Sequence, residues 1–385
     1  MQSRGRPTPA EMLQLIRETG PISRTELARL SGLALSTVSL RVDDLVSSGL
    51  IEEAGDGKSR GGRPPKLVQV RSGGGVVLAA DLGSHHARLA IFDLSGQQVA
   101  GDEVPVTFSD GPDIVLNAIA DRMEELVREH GSLEVRGVGI GLPGPVEPVS
   151  GRVTSPSRMP GWHGIQASSL LAARFNAPVA VDNDANLLAL GEYRTRWAAE
   201  GVRHLVAVKI GRGIGCGIVA SGSVYRGANG AAGDISHVRA ASLDPDKARL
   251  CGCGRLGCLE TLASGAALLE ELAAKGMDLG STADLVEQVH RGDPAANLAV
   301  RTAGWHLGEV LAVVVNFYNP QVLVLGGLLA SADPLIASLR SAIYERCLPM
   351  ASEAVKITTT SAGPDTGLIG AAWLILDRLG QAASA

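Results

Sequence analysis

Three cysteines fall within eight residues near the middle of the chain, and this run restricts the fold more than any other feature. Cys251, Cys253 and Cys258 are separated by glycines and follow His237 in the chain. Three thiolates and one imidazole form a structural zinc ligand set, and glycines let the backbone turn sharply enough for neighbouring cysteines to face one ion. With four protein ligands no position remains for an activated water, so we expect structural rather than catalytic Zn²⁺.

The alternative for this run is a loop of free thiols beside an unrelated histidine. The whole chain holds only five cysteines, so three in one short run are hard to explain without a metal. The other two, Cys216 and Cys347, imply no disulfide framework, and reduced thiols fit a cytoplasmic protein. Residues 1–20 lack the apolar core of a signal peptide. No apolar run reaches the length of a membrane span, so we expect no membrane partner.

Charge is distributed unevenly along the chain. Residues 1–72 contain 11 Lys and Arg against 8 Asp and Glu, whereas the rest contains 24 against 32. Five basic residues and no acidic one lie between Lys58 and Arg71. A basic N-terminal segment on an acidic body points to a nucleic-acid partner for that segment only.

Residues 1–72 are predicted to fold as a helix-turn-helix with a wing. Capping boxes at Thr8 and Ser23 open the first two helices. A third helix begins near Leu35 and is predicted to bury four residues at helical spacing, Val38, Val42, Leu45 and Val46. Its N-terminal turns should enter the DNA major groove. The residues expected to contact DNA from this helix are Ser36, Thr37, Ser39 and Arg41.

The wing is predicted to be a hairpin of Leu50-Ile51 with residues 67–70. Its tip carries Arg60 and Arg63 in a Gly-Arg-Pro context. An extended segment of this kind is slim enough for the minor groove, where arginine is attracted to narrow A·T tracts. The alternative is a protein-binding helical domain with a solvated basic loop. The region resembles winged helix-turn-helix DNA-binding domains over its full length, so we expect double-stranded operator DNA as a partner.

Residues 73–385 are predicted to form a duplicated α/β domain. A buried strand at 76–82 runs into a glycine turn and a return strand at 87–92, and residues 205–219 repeat this hairpin. Such a repeat indicates internal duplication, and alternating strands and helices favour two lobes with a cleft between them. We expect one lobe from residues 73–195 with 367–385 and a second from residues 196–366.

Polar residues at two strand ends are candidates for ligand binding. Asn183, Asp184 and Asn186 follow a short apolar strand, and a carboxylate with an amide suits adjacent sugar hydroxyls. Asp184 would also suit a base in phosphoryl transfer. The alternative is that the Asn-Asp pair simply caps a helix. The Gly-Leu-Pro-Gly turn ending at Gly144 could place backbone groups beside a ligand. No Gly-x-x-x-x-Gly-Lys-Ser/Thr loop is present, which excludes a Walker-type site.

Five short runs together resemble the ROK family, which contains bacterial repressors, open reading frames and sugar kinases. They are Asp-Leu-Gly at 81–83, Gly-Leu-Pro-Gly at 141–144, Asn-Asp-Ala-Asn at 183–186, Gly-Asp-Ile-Ser-His at 233–237, and the cysteine run through residue 260. The resemblance covers about residues 76–385. It implies an α/β, two-lobed, actin-like (ribonuclease-H-like duplicated) body carrying the winged domain, usually in a homodimer or homotetramer. The sugar-binding residues expected from it are Gly144, Asn183, Asp184, Asp234, His237 and Glu260, with His237 also a zinc ligand.

The chain departs from the kinase pattern of that family at both glycine turns. Ser84-His85-His86 replaces a turn that usually carries Thr, and Arg212 replaces the Thr of a Gly-Thr-Gly turn. Asp234 and Ser236 also replace the usual Glu and Gly. Lost hydroxyls and bulky insertions argue against ATP binding, although arginine is itself a good phosphate ligand.

These departures favour a sugar-responsive repressor without kinase activity, regulated by a free or phosphorylated sugar. Two alternatives stay open. One is an active sugar kinase with a DNA-binding head, which would use Asp184 as its base together with ATP and Mg²⁺. The other is a zinc-stabilised scaffold whose ligand site is dead.

Overall fold

The computed structural model describes residues 8–57, 64–154, 159–240, 246 and 248–383. The N-terminal part contains three helices and three strands. In chain order these are α1 (Pro9–Thr19), β1 (Ile22–Ser23), α2 (Arg24–Ser31), α3 (Leu35–Ser47), β2 (Ile51–Asp56) and β3 (Lys66–Val70).

The N-terminal helices begin and end where the sequence predicts. Thr8 and Glu11 form a reciprocal capping box at α1, and the Ser23 side chain caps α2. Gly20 and Gly32 follow the two helices at positive φ, which glycine adopts without a Cβ clash. One prediction for α3 is wrong, because Val46 is 36% exposed whereas the other three apolar residues are buried. The buried stripe therefore ends at Leu45, one residue earlier than predicted.

The predicted wing hairpin is confirmed. β3 pairs antiparallel with both β2 and β1, so the strand order is β1-β3-β2. Ile51 and Val68 are buried in this sheet. The tip of the wing, including Arg60 and Arg63, lies outside the described residues.

The body contains ten further strands and ten further α-helices in its described part. The first half holds β4 (Val76–Leu82), β5 (His86–Asp93), β6 (Gln98–Pro105), α4 (Pro112–Glu129), β7 (Val135–Leu142), α5 (Ala167–Phe175), β8 (Val179–Asn183) and α6 (Asp184–Glu192). The second half holds β9 (Leu205–Ile210), β10 (Ile214–Ala220), β11 (Ser223–Val224), α7 (Glu260–Ala263), α8 (Gly265–Ala274), α9 (Thr282–His290), α10 (Pro294–Tyr318), β12 (Val322–Gly326), α11 (Asp333–Arg346), α12 (Pro349–Ser352), β13 (Lys356–Thr359) and α13 (Thr366–Ala382).

The two body sheets have the same topology, which confirms the duplication. Their strand orders are β6-β5-β4-β7-β8 and β11-β10-β9-β12-β13. In each sheet the first two pairings are antiparallel and the last two are parallel. The two glycine turns therefore occupy equivalent places, one between β4 and β5 and the other between β9 and β10.

Helices α6 and α13 cross between the two sheets. α13 packs on β4 and β7 of the first sheet, whereas α6 packs on β9 and β10 of the second. The crossing is very close, because a Cβ added at Gly370 would lie 1.9 Å from the Leu187 carbonyl oxygen. A Cβ at Gly191 would lie equally close to the Thr366 carbonyl oxygen. Glycine is required at both positions so that the two backbones can touch.

The winged domain packs directly on the body. α1 contacts α13, and their apolar residues belong to one buried cluster that includes Leu13, Ile16, Leu376 and Phe92. The guanidinium group of Arg17 stacks on Trp373 of α13 and donates from Nε to the Leu94 carbonyl at 2.9 Å. Burial lowers the Arg17 pKa to about 10. The head is thus held by buried polar and apolar contacts in addition to its covalent link.

One described helix, α10, is long and apolar enough to cross a membrane by length and composition. However, 61% of its most apolar window is buried inside the protein, where Leu307 and Leu311 belong to the core of the second lobe. This is the pattern of a core helix.

Candidate functional site

A cleft of about 1180 Å³ lies between the two lobes. Both glycine turns line it, and so do residues from the end of β8 and from the cysteine-containing loop. All six residues predicted to bind sugar line this cleft, namely Gly144, Asn183, Asp184, Asp234, His237 and Glu260. The fold therefore brings together residues that are up to 116 positions apart in the sequence.

The Asn183 side chain is occupied by structural hydrogen bonds. Its Oδ1 accepts from the Ala185 backbone N–H at 2.9 Å, which caps α6, and its Nδ2 donates to the Gly144 carbonyl at 3.0 Å. The capping alternative considered for this residue is thus present. Asn183 nevertheless also lines the cleft. Its hydrogen bond to the Gly144 carbonyl fixes the 141–144 turn against the start of α6.

Asp184 forms an ion pair across the cleft. The Lys209 Nζ lies 2.8 Å from Asp184 Oδ2 and 3.8 Å from Asp81 Oδ1. Burial raises the pKa of Asp81, an effect that the Lys209 charge opposes. Burial alone would lower the pKa of Lys209, but the two carboxylates outweigh it and raise that pKa overall. The two carboxylates therefore favour the charged form of Lys209, which lines the cleft.

The segment that runs from the loop after β11 to the first residue of α7 supplies the other acidic groups. Glu260 is buried, and its Oε2 accepts from the Ile214 backbone N–H at 2.9 Å, next to the second glycine turn. Its own N–H donates to the Ser236 carbonyl at 2.9 Å. Asp234 is exposed in the cleft wall, where its Oδ1 accepts from the Ser236 hydroxyl at 2.8 Å. Hydroxyl acceptors thus stand on one loop beside the carboxylate of Asp184.

The four predicted metal ligands lie together. One ligand atom from each of His237, Cys251, Cys253 and Cys258 lies within 4.8 Å of every other. The Cys251 Sγ to His237 Nδ1 distance and the Cys253 Sγ to Cys258 Sγ distance are both 3.6 Å. Tetrahedral bonds of about 2.3 Å to sulfur and about 2.0 Å to nitrogen require ligand separations of roughly 3.5–3.8 Å. The cluster could therefore hold a metal ion with little rearrangement.

Burial disfavours the ionised form of two of the three thiols in this cluster, Cys251 and Cys258. Burial, reinforced by the neighbouring thiols, raises the pKa of Cys258 to about 12, and burial also raises the pKa of Cys251. A bound metal deprotonates such thiols, so metal binding here releases protons.

The two glycine turns face each other at one end of the cleft. Arg212 of the second turn places Nη1 3.2 Å from His85 Nε2 of the first turn. Both side chains are exposed. This contact joins the lobes where the duplicated hairpins would otherwise present two open backbone loops.

The predicted DNA-contacting residues of α3 differ in exposure. Ser36 is exposed, whereas Thr37 and Ser39 are half-buried. Arg41 is also half-buried, and within the described part of the chain its Nη1 is buried without a hydrogen-bond partner. Leu35 and Leu40, which were not predicted to contact DNA, are 49% and 65% exposed on the same helix.

Sequence reasoning missed three charged residues in or next to the cleft, namely Asp182, Arg226 and Lys209, of which Lys209 lines it. Asp182 accepts from Asn186 Nδ2 at 2.9 Å and from Arg226 Nε at 2.7 Å, which ties the β11 region to the end of β8. Lys209 was also missed, although it is the one charged residue in the apolar strand Leu-Val-Ala-Val-Lys-Ile. Such a lysine is unusual, because buried lysines need a partner. That interruption was the available clue.

Comparison with known proteins decides the family. The profile described as "ROK family" matches residues 77–378, and the profile described as "Winged helix-turn-helix DNA-binding" matches residues 10–52. The chain belongs to the ROK family. The ROK match covers most of the body, and the second match covers the three N-terminal helices.

Similar proteins include named regulators. A xylose repressor of Bacillus spizizenii is 28% identical over 369 residues, which is 95% of this chain and 94% of the relative. The DNA-binding transcriptional dual regulator NagC of Escherichia coli is 30% identical over 354 residues, with 88% of this chain and 85% of the relative covered.

Solved structures extend the likeness to both regulators and kinases. A crystal structure of a ROK family transcriptional regulator, a homologue of the E. coli MLC protein, has a TM-score of 0.81 and 27% identity, covering 97% of this chain and 96% of that one. A ROK family glucokinase from Streptomyces griseus, solved with glucose and AMPPNP, has a TM-score of 0.65 and 27% identity over 77% of this chain and 98% of that one. The regulator aligns with nearly the whole chain, whereas the kinase aligns with a smaller share.

Proposed function

We propose that this chain is a cytoplasmic, sugar-responsive transcriptional repressor that binds operator DNA through its winged head. The observation that carries the proposal is the docking of the head on α13, a helix that begins beside the cleft. We further propose domains at residues 1–72, at 73–195 with 367–385, and at 196–366. A homodimer or homotetramer would place two winged heads on half-sites about one helical turn apart.

In this proposal the sugar binds between the lobes. Asp184, Asp234 and Glu260 offer carboxylate oxygens to hydroxyls, and Gly144 offers backbone groups. His237, Cys251, Cys253 and Cys258 would hold Zn²⁺, which supplies a structural crosslink for the loop. Because Glu260 and Asp234 stand on that loop, the metal would set the position of two sugar contacts.

Occupancy of the cleft would reach the head through the two crossing helices. α6 begins with Asp184 in the cleft, and the π-helical turn Tyr193–Trp197 follows its end. The Arg194 guanidinium carbon of that turn lies 5.4 Å from the centre of the Trp373 ring, and Arg194 Nη2 lies 2.7 Å from Asp377 Oδ2. Arg17 of α1 stacks on the same indole ring at 5.4 Å. A shift of α6 against α13 would therefore act directly on the helix that positions the head.

The proposal is tested by identifying the operator and then adding sugars. Genomic fragments bound by the purified full chain would be sequenced, and affinity for the recovered site measured with xylose, N-acetylglucosamine, glucose and their phosphates. We expect one of these to change operator affinity by about 5–150-fold, the usual range of allosteric coupling. A specific operator whose affinity no sugar alters would contradict the proposed regulation. The absence of any sequence-specific fragment would contradict the repressor itself.

Arg63→Ala is expected to weaken operator binding and to reduce the slope of log affinity against log salt by roughly one. A wing arginine that contacts phosphate or the minor groove releases about one counterion when it binds. Lys66→Ala is the matched control, because Lys66 already lies 3.4 Å from Asp56 and 3.9 Å from Glu53. Gel-shift titrations at several salt concentrations provide the measurement. Unchanged operator affinity and salt slope in Arg63→Ala would show that the wing tip does not contact DNA.

The second candidate function is a sugar kinase, which the likeness to a ROK glucokinase favours. We expect no ATP-dependent phosphorylation of sugars, because Asp184 is paired with Lys209 and Arg212 stands in the second glycine turn. A coupled ADP-release assay with ATP and Mg²⁺ checks this. Turnover above background that disappears in Asp184→Asn would contradict the repressor-only proposal.

A further inference from the structure

Lys209 stands out as a charged residue in the middle strand of an apolar sheet. It lies on β9, between β10 and β12, and all five other residues of that strand are fully buried with 0% exposure. Its side chain is 25% exposed and points into the cleft, which it lines. A lysine at such a position requires compensation for its lost hydration.

The compensation comes from two carboxylates on different elements. Asp184 is the first residue of α6, and Asp81 lies on β4 in the first sheet, whereas Lys209 lies in the second sheet. The side chains of these acids are 11% and 12% exposed. Among the described residues, no cationic side chain other than that of Lys209 lies within 4.0 Å of the Asp81 or Asp184 carboxylate. The Asp81 Oδ1 atom is buried and has no hydrogen bond within that part of the chain, since 3.8 Å is too long for one.

Two carboxylates that converge on one position, as those of Asp81 and Asp184 do on the Lys209 ammonium group, also suit a hard divalent cation. Mg²⁺ in phosphoryl-transfer sites is held by one or two carboxylates together with phosphate oxygens. A lysine ammonium is a compact point charge that can neutralise the same pair without a metal. Two cations cannot share this position, because their repulsion at about 4 Å would cost several kcal/mol even at an effective dielectric constant near 20.

We propose that the Lys209 ammonium replaces a divalent metal ion between Asp81 and Asp184, so that the cleft keeps a sugar-binding carboxylate but no metal for phosphoryl transfer. Lys209 is then a specificity-determining residue that limits the cleft to ligands needing no Mg²⁺. The inference rests on the proposed function in one respect, namely that the cleft binds a sugar without phosphorylating it. It also makes Lys209 a tether between the lobes, because it extends from the second sheet to Asp81 in the first.

The orientation of the pair defines what remains for a ligand. Lys209 occupies Asp184 Oδ2, so Oδ1 is left to accept from a sugar hydroxyl. The contact with Lys209 also fixes the orientation of the Asp184 side chain, and hydrogen bonds to a carboxylate are stronger than those between neutral groups. The same residue that excludes the metal therefore strengthens the sugar contact.

The test measures Mn²⁺ binding by the zinc-loaded full chain. Mn²⁺ is a hard ion that prefers oxygen ligands to the thiolates of the Cys cluster, and its free concentration is measured by electron paramagnetic resonance. Lys209→Met is expected to bind Mn²⁺ at least about tenfold more tightly than the wild type, because a positive charge has been removed from between two carboxylates. Lys209→Arg is the matched control and should show no gain. The double substitution Lys209→Met with Asp81→Asn should lose the gain.

Wild-type binding as tight as that of Lys209→Met would overturn the proposal, and so would a folded Lys209→Met protein without the gain. If Lys209→Met does not fold, Lys209→Gln is measured instead, since its amide can still donate to Asp184. An equal Mn²⁺ affinity of Lys209→Gln and wild type then counts against the proposal. Operator titrations with sugar are read separately, so failure of the sugar response leaves the metal result interpretable.

Discussion

Cys258→Ser is expected to abolish metal binding and to weaken sugar binding by more than about tenfold. Structural zinc sites contribute about 10–16 kcal/mol of apparent binding energy in small zinc-finger peptides, and a serine hydroxyl does not replace a thiolate ligand. Cys258 is 1% exposed and lies 3.6 Å from Cys253, within the cluster of four candidate ligands. It immediately precedes the 259–260 segment whose N–H groups bond to the Val238 and Ser236 carbonyls. Loss of the ion should therefore release Glu260 from the cleft wall.

The measurement combines metal content by mass spectrometry with calorimetry, using whichever test sugar binds the wild type. Cys347→Ser is the control, because Cys347 is also buried but lies outside the cluster. We expect that control to keep one zinc per chain and full sugar affinity. A Cys258→Ser protein that lacks zinc yet binds sugar as the wild type does would show that the loop holds its shape without the ion.

The elements of this fold follow from local sequence, whereas the pairings within the cleft do not. Helix caps at Thr8 and Ser23 and the repeated glycine hairpins mark real boundaries, since a cap or a tight turn is decided by a few adjacent residues. Lys209 and Asp184 are separated by 25 positions and Asp81 is more than a hundred residues from Lys209. Only the packed arrangement of the two sheets brings these charges together, so the ion pair could not be predicted from spacing.

The candidate metal ligands could be grouped from the sequence alone, for a different reason. His237 and the three cysteines form a set whose chemistry is specific, and the fold brings their ligand atoms together as the ligand types require. Asn183 was harder, because a residue of that type at a strand end suits both a helix cap and a sugar contact. Its two hydrogen bonds serve the cap and the 141–144 turn, which the sequence alone left undecided.

The crossing of α6 and α13 was not predicted, and it supports the route from cleft to head. Glycines at 191 and 370 lie within apolar helical segments, where sequence patterns treat them as weak helix formers. In the structure they allow backbone contact between a helix that begins with Asp184 and a helix that carries Trp373. The same α13 backbone also touches β7, since a Cβ at Gly139 would lie 1.9 Å from the Ala371 carbonyl oxygen.

Gly370→Ala is expected to destabilise the protein by about 3 kcal/mol or more and to uncouple operator binding from sugar. The added methyl group would lie 1.9 Å from the Leu187 carbonyl oxygen, and rigid helix backbone cannot yield as a side chain would. The sign of the change in unfolding free energy is informative, because replacing glycine by alanine at an unobstructed helix position stabilises a protein by about 1 kcal/mol. Gln381→Ala, at an exposed position of the same helix, should change stability by less than about 0.5 kcal/mol.

Thermal unfolding and operator titration separate the two consequences of this substitution. A loss of about 3 kcal/mol corresponds to a fall in melting temperature of roughly 6–12 °C for a domain of about 150–250 residues, and we expect a fall toward the lower end for this longer chain. Sugar affinity should change less than the sugar response does, since Gly370 lies outside the residues that line the cleft. A Gly370→Ala protein that melts like the wild type would show that the helices cross less closely than described. A destabilised protein whose operator affinity still responds fully to sugar would instead place the coupling route outside the α6–α13 crossing, because in the proposed route a shift between these two helices carries the change from Asp184 to Arg17.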